Sequence, residues 1–197
     1  MAIKPNSKPA LKAEEVLKIT KANKIQDKVC LMMIRGYYLD SMGVKGKNDR
    51  GVYDDAFFWI SPDGIQSFNG NADASKFRKG VGRSSEKGMA SLNPGVWRYK
   101  TGIHNGSVPH PAFRQAGTVR ITRDGTKGNY QDTLSSSINI HRGGARGTSS
   151  LGCQTVPSEQ WAAFKELGYM LLKKYDQKDF AFILIDEENR RKNMLVV

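Results

Sequence analysis

The chain has 197 residues, 31 Lys and Arg against 19 Asp and Glu, a formal net charge of +12 and two cysteines, so it can bury a core without crosslinks and has no disulfide framework. Hydrophobic residues make up 39% and charged residues 25%, and no apolar run approaches the roughly 20 residues of a membrane helix, which excludes helical membrane insertion. The charge suits an anionic partner, but lysines and arginines are scattered from Lys4 to Lys192 without an arginine-rich arm, zinc-ligand pattern or aromatic stacking motif, so no specific nucleic-acid partner is expected.

In chain order, residues 1 to 9 read as a loose tail, with no apolar stretch after the first lysine and hence no secretory signal. Leu11, Val16 and Ile19 with Ala13 and Ala22 give a helical face from Ala10 to about Asn23. This tail and helix, residues 1–27, precede a single domain at 28–197. "KVCLMMIRGYYL" (28 to 39) reads as a buried strand, with Cys30 in the core, and "VYDDAFFWIS" (52 to 61) as a second strand. The neighbouring Asp54 and Asp55 point to opposite faces of that strand, so they are not an acid and base pair. "SPDG" is a type I turn signature leading into "IQSFNG", a hairpin.

Residues 71 to 95 read as a long polar surface segment that borders a site. "VWRYKTG", "TVRITRDG", "SSSINIH" and "CQTV" then read as short strands joined by glycine-rich turns. Trp97 and Tyr99 share one strand face and either line a groove or belong to the core. "GIHNGSVPHPAF" reads as a Gly and Pro loop in which His104 and His110 either rim that groove or face solvent. A helix starts at Pro157, with Ser158 as N-cap and a stripe of Trp161, Phe164, Leu167, Met170 and Leu171. "DFAFILID" is the last clear strand, before a polar tail that ends in a short strand. The sum is about seven strands and two helices, a mainly β domain with a packed helix.

The chemistry concentrates in "INIHRGGARGTSSLGCQTVP" (138 to 157). Strand alternation puts Ile138 and Ile140 on one face and Asn139 and His141 on the other, so His141 emerges at the strand's end. The glycines after it read as a tight reversal that returns Cys153 to His141. A cysteine thiol, with a pKa of about 8.5, is mostly protonated at neutral pH, and a neighbouring histidine that takes its proton makes it a nucleophile. Gly152 frees the backbone, so the N–H groups of Gly152 and Cys153, with Leu151, are candidate donors to an oxyanion. Ser150 bonds the loop or the substrate, while Arg142 and Arg146 add positive potential and attract a carboxylate. No zinc site is expected: His141 and Cys153 lack a partner pair at metal spacing, and His104 and His110 are not accompanied by cysteines. The same residues also permit a bland reading, a cysteine in a β turn with a histidine nearby.

"IHRGGARGTSSLGCQ" resembles the signature of the L,D-transpeptidase catalytic domain (the YkuD-like family), in which a histidine ending a strand is followed by a glycine-rich turn and then Ser, any residue, Gly and Cys. The resemblance covers roughly residues 95 to 157. It implies a β-sandwich of mixed sheets with a packed helix, His141 as general base, Cys153 as nucleophile, and Ser150 and Gly152 at the loop and oxyanion positions. It also implies no cofactor and an attack on a peptidoglycan stem-peptide amide next to a diamino acid, through a thioester. Arg142, Tyr99, His104 and Trp97 are then the expected substrate contacts. Compact forms without a signal occur among phage proteins and delivered antibacterial effectors, which implies a non-classical route to the periplasm or wall and, as partners, an immunity protein or secretion machinery. The alternatives are a cysteine protease or amidase acting on another substrate, and a basic binding module whose Cys153 is structural.

Overall fold

The computed structural model describes residues 2–80, 87–106 and 108–192. Its element order is α1 (Ala13–Ala22), β1 (Cys30–Arg35), β2 (Asp55–Ser61), β3 (Gly64–Gly70), β4 (Ala90–Leu92), β5 (Gly95–His104), β6 (His110–Gln115), β7 (Val119–Arg123), β8 (Tyr130–Leu134), β9 (Asn139–Arg142), β10 (Gln154–Val156), α2 (Ser158–Lys174), β11 (Asp179–Asp186) and α3 (Glu187–Arg191). Eight strands form one mixed sheet in the order β10-β9-β6-β5-β11-β1-β2-β3, and β4, β7 and β8 form a small antiparallel one. The β1–β11 and β9–β10 pairs are parallel. The protein is thus mainly β with a few helices, although only one of its two sheets is mixed.

Continuous apolar runs explain the architecture, because a strand that is hydrophobic at every position must be covered on both sides. In β1, β2 and β11 one alternating set (Leu31, Met33, Phe57, Trp59, Phe180, Phe182, Leu184) joins a core with Trp161 and Phe164 of α2 and with Leu92, Val119 and Ile121 of the small sheet. The other set (Cys30, Met32, Ile34, Ala56, Phe58, Ala181, Ile183, Ile185) packs against Val16 and Ile19 of α1. Helix α2 sits close to the sheet because residue 168 is glycine: a Cβ there would lie 2.4 Å from the Trp59 ring and 2.6 Å from that of Phe113. Its buried stripe is Trp161, Phe164, Gly168, Leu171 and Leu172, while Met170 is exposed. The cap is Pro157, so Ser158 is the first helical residue and its hydroxyl meets Glu159.

Several expectations change. The N-terminal segment is tied down rather than loose: Ile3 bridges to Val52, and the Tyr38 hydroxyl and Asn69 Nδ2 both donate to the Ser7 carbonyl. With α1 in the core, residues before 28 belong to the same packed unit. Strand β1 stops at Arg35, because Gly36 turns the chain with φ +72°. Of the 71–95 segment, Asn71, Ala72, Asp73, Ala74, Met89, Ala90 and Leu92 are buried. Strands β6 and β8 appear where loops were expected, and Glu187–Arg191 of the tail is helical. The short strand expected at the end of the tail lies outside the described residues.

Asp54 and Asp55 are structural. Asp55 accepts the Gly36 and Ala72 N–H groups, each at 2.5 Å. Asp54 accepts the Asp49 N–H at 2.8 Å through Oδ2, while its buried Oδ1 has no partner among the described residues. Burial pushes Asp54 up to about 6. Between about pH 4 and 6 the folded chain therefore holds a proton that the unfolded chain has released, and the charge costs stability as pH rises through that window. Relative to wild type, Asp54→Asn should gain about 1–2 kcal/mol between about pH 4.5 and 7.5, read from urea midpoints. A difference independent of pH would contradict this.

Candidate active site

Four adjacent strands assemble the site. Strand β6 pairs with β5 in a register that sets His104 opposite His110, and with β9 in one that sets Phe113 opposite Ile140. Strand β10 runs parallel to β9 with Thr155 opposite His141, so Cys153, just before β10, lies beside Asn139. The connection from 143 to 153 is therefore a crossover between parallel strands, not the tight reversal expected. The three histidines of the chain meet at this end of the sheet: the His104 and His141 rings stack with centroids 4.3 Å apart, and His110 lies 5.2 Å from His104 and 5.7 Å edge-on to His141.

Cys153 Sγ and one ring nitrogen each of His104 and His141 all lie within 4.8 Å of one another. His141 Nδ1 is 2.8 Å from the Arg142 carbonyl, which can only accept, so Nδ1 carries the proton and Nε2 holds the lone pair. The Asn139 N–H donates to Cys153 Sγ at 3.4 Å, and the thiol donates to the Ser137 carbonyl at 3.2 Å. A cavity of about 710 Å³ opens on this group, lined among others by Arg78, Lys87, Arg123, Leu134, Leu151 and Gly152.

The resting state is a neutral pair. Burial pushes the Cys153 thiol up to about 11, against the pull of the Asn139 N–H. Burial also takes His141 down to about 4, with His104 and His110 adding to the effect against the Arg142 carbonyl. Thiol and free-base imidazole are the forms from which a concerted proton transfer can start.

The 150–153 turn differs from its expected role. Ser150 Oγ accepts the Gly152 N–H at 2.9 Å and donates to the Cys153 carbonyl at 2.6 Å, while its own N–H donates to Ser75 Oγ at 2.6 Å. The Gly152 N–H is thus occupied by the Ser150 hydroxyl, whereas the Cys153 N–H meets no backbone acceptor among the described residues. The Leu151 carbonyl takes the Ala90 N–H, and its side chain is exposed at the cavity. Gly152 has φ +146°, and a Cβ there would stand 2.8 Å from the Ala90 carbonyl oxygen. Gly152→Ala is expected to lower stability by about 1–3 kcal/mol, measured by urea unfolding. A loss of under about 0.5 kcal/mol would contradict the strain.

The remaining expected contacts divide. His104 lines the cavity. Tyr99 does not: it is wholly buried, its hydroxyl 3.4 Å from Gln154 Oε1. Trp97 packs on the core margin, donating to the Asn93 carbonyl. Arg142 contributes its carbonyl, while its side chain, like that of Arg146, is exposed and absent from the cavity wall. The cationic wall comes instead from Arg78, Lys87 and Arg123, the last two sharing Asp132. Nothing local in the sequence marks Arg78 or Lys87. Asn139 was visible, since period-two alternation puts it on the face of His141.

No protein-family model, curated protein or solved structure gives a significant match to this chain.

Proposed function

We propose that the protein is a cysteine acyltransferase of L,D-transpeptidase type acting on peptidoglycan stem peptides. The observation that carries this reading is the placement of Cys153 Sγ and a His141 ring nitrogen within 4.8 Å of each other at the wall of a cavity, with the imidazole oriented by the Arg142 carbonyl. The sequence signature supplies the substrate class.

In the first step Sγ attacks the carbonyl carbon of the amide between a diamino acid and the terminal D-amino acid, and His141 Nε2 takes the thiol proton. The oxyanion forms beside the Cys153 N–H. The C–N bond then breaks, the imidazolium returns the proton to the leaving amine, and a thioester remains on Cys153. In the second step an acceptor amine yields a crosslink or exchange product, whereas water yields L,D-carboxypeptidase action. Arg78 and Lys87 face the cavity and suit the carboxylates of the stem peptide.

Digestion of purified sacculi, followed by mass spectrometry of the muropeptides, tests the substrate. Wild type should remove or exchange the terminal D-amino acid, and Cys153→Ala should not. Unchanged muropeptides with wild type would overturn the peptidoglycan assignment and leave a protease or amidase on another substrate.

A further inference from the structure

The transfer chemistry uses Cys153 and His141 and leaves His104 without a task, although its ring is stacked on His141 and supplies a third donor atom to the same cluster. We infer that Cys153, His141 and His104 form a three-ligand site for an exchangeable zinc-class divalent ion, with the fourth position open to the cavity, and that the bound ion withholds the sulfur from reaction. The inference concerns the site already described, but it does not depend on the peptidoglycan reading.

The donor set decides the class of ion. One thiolate and two imidazoles suit a borderline-soft tetrahedral ion, and three protein ligands with one open position is a usual zinc arrangement. Zinc bonds of about 2.0 Å to nitrogen and about 2.3 Å to sulfur set tetrahedral ligand atoms roughly 3.3–3.6 Å apart. The atoms here lie within 4.8 Å, so closing the geometry takes shifts of about an ångström and a turn of one imidazole out of the stack, because a shared ion must lie in both ring planes.

Supporting groups are in place around the ligands. The His141 Nδ1–H on the Arg142 carbonyl is the outer contact that fixes a ligating imidazole and directs its lone pair to Nε2. Asn139 holds the second ring: its Nδ2 is 3.0 Å from His104 Nδ1, while its buried Oδ1 has no partner among the described residues. Turning that amide would put Oδ1 against a protonated Nδ1, satisfy the orphaned oxygen and select the other tautomer of His104. Either orientation of the Asn139 amide thus leaves a contact to His104 Nδ1.

Binding releases the Cys153 proton to solvent and forms a metal–sulfur bond, with no change of oxidation state. Arg78 and Lys87 on the cavity wall disfavour a second cation and weaken binding, which makes the ion exchangeable rather than permanent. A thiolate held in this way has electron density drawn to the metal and attacks a carbonyl or an alkylating reagent more slowly.

The test uses the full chain with Co2+ as a spectroscopic stand-in and Zn2+ as the competitor. Wild type should take up one equivalent of Co2+ with a sulfur-to-cobalt charge-transfer band, and Zn2+ should bleach it. Cys153→Ser should lack the band, and His104→Gln should bind roughly tenfold or more weakly, with His104→Asn as the second variant if the first does not fold. Zn2+ should slow iodoacetamide labelling of Cys153 by about tenfold or more, reversibly with a chelator. Absence of the band, unchanged affinity in folded His104 variants, or labelling indifferent to Zn2+ would each overturn the inference. Zinc binding with unaltered sacculi would retain it and overturn the transferase reading, and altered sacculi without the cobalt band would do the reverse.

Discussion

His141→Ala is expected to slow both turnover on sacculi and alkylation of Cys153 by about 100- to 10,000-fold at neutral pH, measured in chelator-treated buffer. Burial drives this expectation. With the thiol pushed up to about 11, solvent alone ionises very little of it, and the thiol proton rests on the Ser137 carbonyl, which cannot remove it. A His141 ring nitrogen lies within 4.8 Å of the sulfur and can. Its value, pushed down to about 4, sets the sign of the pH effect. The imidazole is a free base from about pH 6 to 9, so wild-type labelling should be flat across that range. Without it, labelling should climb about tenfold per pH unit as hydroxide does the work. Cys30 is the internal control, since burial and Asp27 push it up to about 12 and it sits inside the core. Equal rates at the two thiols, or a His141→Ala protein labelled as fast as wild type, would remove the base from the mechanism.

Trp59→Ala should cost about 3–5 kcal/mol of stability, the largest single loss expected in the fold. The indole is wholly buried between sheet and helix, with ring centroids 5.2 Å from Phe113, 5.5 Å from Phe164 and 5.0 Å from Phe180. Its Nε1 donates to the Phe164 carbonyl at 3.2 Å, so it also joins β2 to α2. Phe113 and Gly168 surround the same space and cannot close over the missing ring without moving the helix. Phe113 leads along β6 to the histidine end of the sheet, so the loss should reach the site as well. Urea unfolding measures it, and a cost below about 1.5 kcal/mol would mean that the core collapses around the gap.

The sequence showed most plainly those elements whose hydrophobicity had no second interpretation. "CLMMI", "AFFW" and "FAFILI" are apolar on both faces and became three adjacent interior strands of the large sheet. Strand β6 was hidden by His110 and Pro111: proline lacks the ladder N–H and reads as a break, yet here it pairs across from Ile103 on β5. Strand β8, "YQDTL", is only half-buried and offers no apolar alternation. Residues 71 to 74 look like surface because Asn71 and Asp73 are polar, but they are buried with partners: Asn71 Nδ2 donates to the Asp73 carbonyl, and Arg35 pairs with Asp73.

In the site, His141 and Cys153 were legible because they are near in sequence and flank glycines. His104 joins them only through the β5–β6–β9 order, a long-range fact that no local spacing carries. That the Ser150 hydroxyl takes the Gly152 N–H two residues on is a side-chain contact that a run of small residues does not announce.

Acylation of Cys153 is the step on which the proposed chemistry turns. A tetrapeptide stem ending in a D-amino acid, mixed with the protein and quenched in acid, tests it by mass spectrometry of the digested chain. A thioester is expected on the peptide containing Cys153, released by hydroxylamine, with none on the peptide containing Cys30 and none in Cys153→Ala. An unmodified Cys153 together with full turnover by Cys153→Ala would contradict it.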